Sequence, residues 1–130
     1  MSGEPYDWLG SPSLVMAGID QALQESIERV QALYPGRNFC VVGEWAWVEF
    51  NASLSMAEGL AKTGQTANVL VAANILFDSQ ERFRKGKGVR TSFLVKFDAP
   101  GYFITRNTVY VLLGTGRRVQ LPFWGKYLAF

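Results

Sequence analysis

Histidine is absent from this 130-residue chain, and cysteine occurs once, at position 40. Without histidine there is no Ser-His-Asp triad, no Cys–His nucleophile pair and no imidazole metal site. A single cysteine excludes an intramolecular disulfide. Long apolar runs are also missing. The longest, Val69 to Phe77, is interrupted by Asn74, whereas a membrane-spanning helix needs about 20 apolar residues. The opening MSGEPYDWLG is acidic and broken by Pro5, so it has neither the basic start nor the apolar stretch of a secretory signal. These absences predict a cytoplasmic protein with no membrane partner, and a lone thiol suits a reducing compartment.

Chemistry-bearing motifs are equally scarce. Lys85-Gly86-Lys87-Gly88 lacks the strand and helix that flank a phosphate-binding loop. Cys40 sits in the apolar stretch Phe39-Cys40-Val41-Val42, where cysteine acts as a small buried hydrophobe. The expectation is a protein that is not an enzyme, with no metal and no cofactor.

What is present is material for a core. Hydrophobic residues make up 48%, charged residues 18% and aromatics 14% of the chain, the profile of one folded domain rather than a disordered segment. The net charge is only +2, but it is unevenly distributed. Residues 1–60 hold two bases against eight acids, and residues 61–130 hold eleven bases against three. Such a division suggests either a dipolar surface whose basic half meets an acidic partner, or two halves that face each other.

Residues 1–10 read as an irregular N-terminal segment. Ser11-Pro12 has the form of a helix start, with Ser11 as cap and Pro12 in the first turn. Ile19, Ala22, Leu23, Ile27, Val30, Leu33 and Tyr34 then recur at three- and four-residue steps, until Pro35-Gly36 stops the pattern. Phe39–Phe50 reads as a strand with a bend or bulge at Gly43-Glu44. In it, Trp45, Trp47 and Glu49 share one face, and Ala46, Val48 and Phe50 the other.

Ser55-Met56-Ala57-Glu58 is a capping-box pattern for a short second helix ending at Gly64. Val69–Phe77 is apolar on both faces, as a covered central strand would be. Residues 78–88 read as a loop or hairpin tip, and residues 89–97 as one strand with Val89, Thr91, Phe93, Val95 and Phe97 on a single face. Further strands follow at 102–105, 108–113 and 117–121, before an aromatic tail at 122–130. The whole reads as a single α+β domain over residues 1–130: a long N-terminal helix packed on a largely antiparallel five- or six-stranded sheet or partial barrel.

The stretch Val89-Arg90-Thr91-Ser92-Phe93-Leu94-Val95, followed by Thr105-Arg106-Asn107-Thr108-Val109-Tyr110 and Gly114, carries a resemblance. An RTS strand followed by a TRNTxY strand pair ending in glycine, with Asp78 and Arg82 upstream, resembles a group of small uncharacterised proteins of bacteria and their phages and prophages. The likeness covers residues 70–118. It implies a phage- or prophage-type accessory protein and transfers no catalytic residue.

Three groups of side chains invite a binding role. Arg82, Arg84, Lys85, Lys87 and Arg90, with Phe83 among them and Arg106, Arg117 and Arg118 as extensions, combine cations for phosphates with an aromatic for an unpaired base; Tyr102 offers a second stacking ring. The competing reading is a solvated loop that keeps an edge strand soluble. Thr91, Ser92, Thr105, Arg106, Asn107 and Thr108 suggest a small anion pocket, against the plain preference of threonine for strands. Trp45, Trp47, Trp124, Tyr127 and Phe130 are more aromatics than a small core readily takes, and Trp124, Tyr127 and Phe130 form a candidate partner-binding tail. The expected role is a non-catalytic binding protein that meets a protein partner or a second copy of itself. Nucleic acid held by the 82–90 hairpin is the alternative.

Overall fold

A computed structural model describes residues 13–82 and 84–121. They form eight strands and two helices in the order β1 (Ser13–Ala17), α1 (Leu23–Leu33), β2 (Phe39–Phe50), α2 (Leu54–Ala61), β3 (Asn68–Asp78), β4 (Val89–Arg90), β5 (Lys96–Asp98), β6 (Tyr102–Ile104), β7 (Val109–Leu112) and β8 (Thr115–Leu121).

Strand β2 organises the sheet. One of its edges pairs antiparallel with β3 from Cys40–Asp78 to Glu49–Asn68. Its other edge is shared: the first half runs parallel to β7 (Phe39–Val109 to Val42–Leu112), and the second half runs parallel to β8 (Ala46–Arg117 to Phe50–Leu121). The fork falls where β2 bends. Glu44 has φ +50, and β3 carries an irregularity opposite Val41 and Val42, the local geometry of a bulge that sharpens twist. From the fork one arm continues through β7, β6 and β5, and the other through β8 to β1.

The segment from β4 to β5 joins the two sides. The Thr91 N–H donates to the Leu70 carbonyl and the Leu94 N–H to the Asn68 carbonyl, both on β3; the Val95 N–H donates to the Ile104 carbonyl on β6. The sheet therefore curls into a half-barrel. Its inner face is packed with Cys40, Val42, Trp45, Trp47, Leu70, Ile75, Phe103 and Leu112. Outside, Leu23, Ile27, Val30 and Tyr34 of α1 and its C-cap cover Phe39, Val41, Val109 and Val111. Met56 of α2, with Phe93, packs on Ala46, Val48, Phe50 and Val119. On β2 the inward residues are even-numbered before the bend and odd-numbered after it, so Trp45 and Trp47 both enter the core, at 1% and 6% exposure. They are core residues rather than surface anchors.

The expected architecture is corrected in three respects. The described residues hold no long N-terminal helix: α1 spans eleven residues and Ser13–Ala17 is a strand. The Ser11-Pro12 start lies outside the described residues. The observed helix begins after Ala22, whose N–H is accepted by Glu25 Oε1 at 3.3 Å. Gly18 explains why the helical period does not run further back. Its N–H donates to the Gly114 carbonyl, and a Cβ there would meet the Leu112 and Gly114 carbonyl oxygens, so this position belongs to a tight strand contact. Second, the sheet has eight strands rather than five or six, two of whose pairings with β2 are parallel. Third, residues 89–97 are not one strand. Thr91 turns its hydroxyl back onto the β3 backbone, accepting from the Leu70 N–H at 2.9 Å and donating to the Ser92 carbonyl at 2.7 Å. This breaks the alternation between β4 and β5 and leaves Val95 38% exposed.

Candidate functional site

Strand β1 is the edge of its arm among the described residues, pairing with β8 from Ser13–Val119 to Ala17–Thr115. Since the Gly18 N–H bonds to the Gly114 carbonyl, antiparallel alternation turns the backbone groups of Leu14 and Met16 toward β8 and those of Val15 outward. Leu14 and Val15 are 72% and 71% exposed, so this edge is apolar on both faces.

Beside the edge lies a groove of about 510 Å³ lined by Ser13, Leu14, Glu49, Arg118 and Gln120. The pairings of Leu14 with Arg118, Arg118 with Trp47 and Gln120 with Glu49 set these side chains on the same face as the buried tryptophans. The Arg118 guanidinium lies 4.1 Å from the centre of the Trp47 ring, and its Nη2 is 3.7 Å from Glu49 Oε1. Its buried Nε has no hydrogen-bond partner among the described residues. Trp47 is itself held firmly. Its Nε1 donates to Asn68 Oδ1 at 2.7 Å, and its ring meets Phe97 and Phe103 at 4.8 and 5.4 Å between centroids. The groove thus offers both signs of charge on a rigid aromatic base, next to a strand edge with no partner among the described residues and an exposed leucine.

The basic residues expected to act together are divided. The guanidinium of Arg82 turns onto Asp78, donating through Nη2 and Nε at 3.3 Å each, while Nη1 donates to Thr108 Oγ1 at 3.3 Å. The Arg82 and Gln80 N–H groups also donate to the Asp78 carboxylate. Burial alone would raise the Asp78 carboxyl, but these donors hold it below the usual carboxylate range. Burial is likewise the largest influence on Arg82 and lowers it, but the hydrogen bond and charge of Asp78, with Tyr110 and Cys40, together raise it above its ordinary value. This pair ties the β3–β4 loop to the start of β7 and is structural.

Arg84, Lys85 and Lys87 are exposed along the hairpin, and Arg106 is exposed on the β6–β7 turn. Arg90 stands apart on β4 opposite Val71, and Arg117 donates to Ser13 Oγ at 3.0 Å. Tyr102 is 3% exposed and packs edge-on against Tyr34, so it is no stacking surface. Thr91, Thr105 and Thr108 are buried, and their hydroxyls bond locally to backbone or to Arg82. They form no shared anion pocket. Phe83, Trp124, Tyr127 and Phe130 lie outside the described residues.

Cys40 is fully buried, and burial, with the nearby Asp78 charge, pushes its thiol up to about 12. Among the described residues, no three Cys, Asp or Glu side chains gather closely enough to hold a metal ion. No described helix is long and apolar enough to cross a membrane.

Sequence reasoning missed the groove. Arg118 stood out only as an extension of the hairpin charges, and Glu49 only as a neighbour of Trp47. The available signal was their shared alternation with Trp47, which becomes informative once β2 and β8 are known to be partners.

Fold and groove together define a small, sheet-rich domain with an exposed edge. The chain belongs to the DUF6957 family, a domain of unknown function, whose model matches residues 17–124. No curated protein and no solved structure matches the chain.

Proposed function

We propose that this protein is a non-catalytic binding module that takes an extended segment of a protein partner along β1. The observation that carries this reading is the conjunction of the exposed β1 edge with the groove built from Leu14, Glu49, Arg118 and Gln120. Strand addition draws affinity from main-chain hydrogen bonds and specificity from pockets for alternate side chains, and both elements are side by side here. Leu14 and Val15 supply apolar contact, while Arg118 and Glu49 select a polar or charged side chain on the incoming strand. The buried thiol and the ion-paired Asp78 favour binding over catalysis. The likeness to small phage and prophage proteins fits an accessory factor acting in the cytoplasm.

The test is selection of peptides from a random library on the purified protein, followed by titration of the selected peptide. Val15→Pro removes an outward N–H while leaving the bonds to β8 in place, and Arg118→Met keeps an aliphatic cover on Trp47. The reading expects Val15→Pro to weaken the peptide at least about tenfold, the loss of one or two main-chain hydrogen bonds. It also expects binding to survive moderate salt. A concentration-dependent dimer abolished by Val15→Pro would make a second copy the partner. Failure to select any peptide from a monomeric protein, or binding by both variants as tight as by the wild type, would overturn it.

A further inference from the structure

Three loops meet at the end of the half-barrel remote from the β1 groove. The 34–38 loop, the β3–β4 loop and the β6–β7 turn are tied together there. The Val109 N–H donates to the Asn38 carbonyl, the Ser79 N–H to the Phe39 carbonyl, the Phe39 N–H to Ser79 Oγ, and Arg82 reaches Thr108. These loops carry Arg37, Arg84, Lys85, Lys87 and Arg106, all exposed and none in an ion pair among the described residues. Asp78 is neutralised by Arg82, which leaves the exposed Glu81 as the acid in these loops.

An aromatic platform stands in the same place. Phe77 is 38% exposed, and its ring is stacked on Phe39 at 5.6 Å between centroids and 25° between planes. Phe39 is itself buried in the cluster under α1. A large aromatic left open to solvent on a fixed backing ring, with five cations on the loops around it, matches the two requirements of a single strand of nucleic acid. Bases need a flat face to stack on, and the backbone needs cations along its path. A duplex meets only the second requirement, because its bases are already stacked.

From this juxtaposition we infer that the loop end around Phe77 binds single-stranded nucleic acid, with a base stacked on Phe77 and phosphates held by Arg37, Arg84, Lys85 and Arg106. The site differs from the expected 82–90 hairpin. Arg82 is withdrawn into a structural pair, Arg90 lies elsewhere on β4, and the ring that matters is that of Phe77, next to the end of β3.

The experiment is fluorescence anisotropy of the full chain with labelled oligo(dT) and oligo(rU) of about 16 nucleotides, across a salt series. A duplex of equal length and heparin serve as competitors. Phe77→Ala is expected to weaken single-strand binding roughly five- to hundredfold while leaving the salt slope unchanged. Replacing Arg84 and Arg106 by alanine is expected to lower the slope by about 0.7 per lost phosphate contact, the single-strand value. Phe77→Leu keeps apolar cover on Phe39 and should lose affinity as Phe77→Ala does, which separates stacking from folding. Absence of binding at low salt would overturn the inference. So would Phe77 variants that bind as the wild type does, or duplex and heparin competing as well as the single strand. Of these, the last two would leave a surface that merely attracts polyanions.

Discussion

Gly116 decides how the two arms of the sheet pack. The indole of Trp45 lies flat against its backbone, so that a Cβ at this position would fall among the Cδ2, Cε2 and Cε3 atoms of the ring. Trp45 cannot withdraw easily, because it is fully buried and its Nε1 donates to the Leu113 carbonyl at 3.1 Å. Gly116→Ala is therefore expected to destabilise the protein by about 1–3 kcal/mol or more, as overpacking does. Chemical denaturation read by tryptophan fluorescence checks it. A variant as stable as the wild type would show that this contact yields freely. None of this was legible in the residues. Gly116 reads as part of a Gly-Thr-Gly turn, and only the three-dimensional meeting of β2 and β8 gives it a packing partner seventy positions away.

At the scale of elements, the Asp78–Arg82 pair fastens the β3–β4 loop to β7. The folded carboxyl holds its proton less tightly than an ordinary aspartate does. As pH falls below about 4, the unfolded chain takes up the proton first. The stability from this group is complete above the usual carboxylate range and drains away as pH falls toward the folded value. Asp78→Asn should flatten that part of the acid limb in denaturation curves measured from pH 5 downward. An unchanged limb would assign acid sensitivity to other carboxylates.

The elements themselves were unevenly readable. Strands β2 and β3 and helix α2 follow their local patterns, and the bend at Glu44 falls where Gly43-Glu44 suggests it. Ser53 rather than Ser55 caps α2, accepting from the Met56 N–H at 3.2 Å. Strand β1 was hidden because Leu14 and Val15 are both exposed, so it shows no alternation, and Ile19 extends the helical period into a residue that bridges Leu113. Residues 89–97 alternate in sequence, but the chain changes partner from β3 to β6 midway, a choice that local pattern does not encode.

For the molecule as a whole, the sealed inner face gives the one cysteine a reporting role. Cys40 is fully buried with its thiol pushed up to about 12, so almost none of it is thiolate at neutral pH. A thiol reagent such as Ellman's is expected to label the folded protein only at the rate of global opening, and to label one site per chain at once in denaturant. Rapid labelling under native conditions would mean that the half-barrel opens locally at the start of β2. The candidate site was least legible at this scale. The groove needs β1, β8 and β2 side by side, and the loop end needs three turns distant in sequence. Charge asymmetry pointed to the basic half of the chain without locating where its cations gather.

The fork at β2 also bears on how the chain is made. Its partners on one edge lie about seventy residues downstream, Phe39 against Val109 and Ala46 against Arg117. During synthesis β2 and β3 leave the ribosome with α1 and α2 available for their outer face, but with that edge and the inner apolar face uncovered. It stays so until nearly the last strand has emerged. Nascent chains stalled before residue 109 are thus the form most in need of a chaperone.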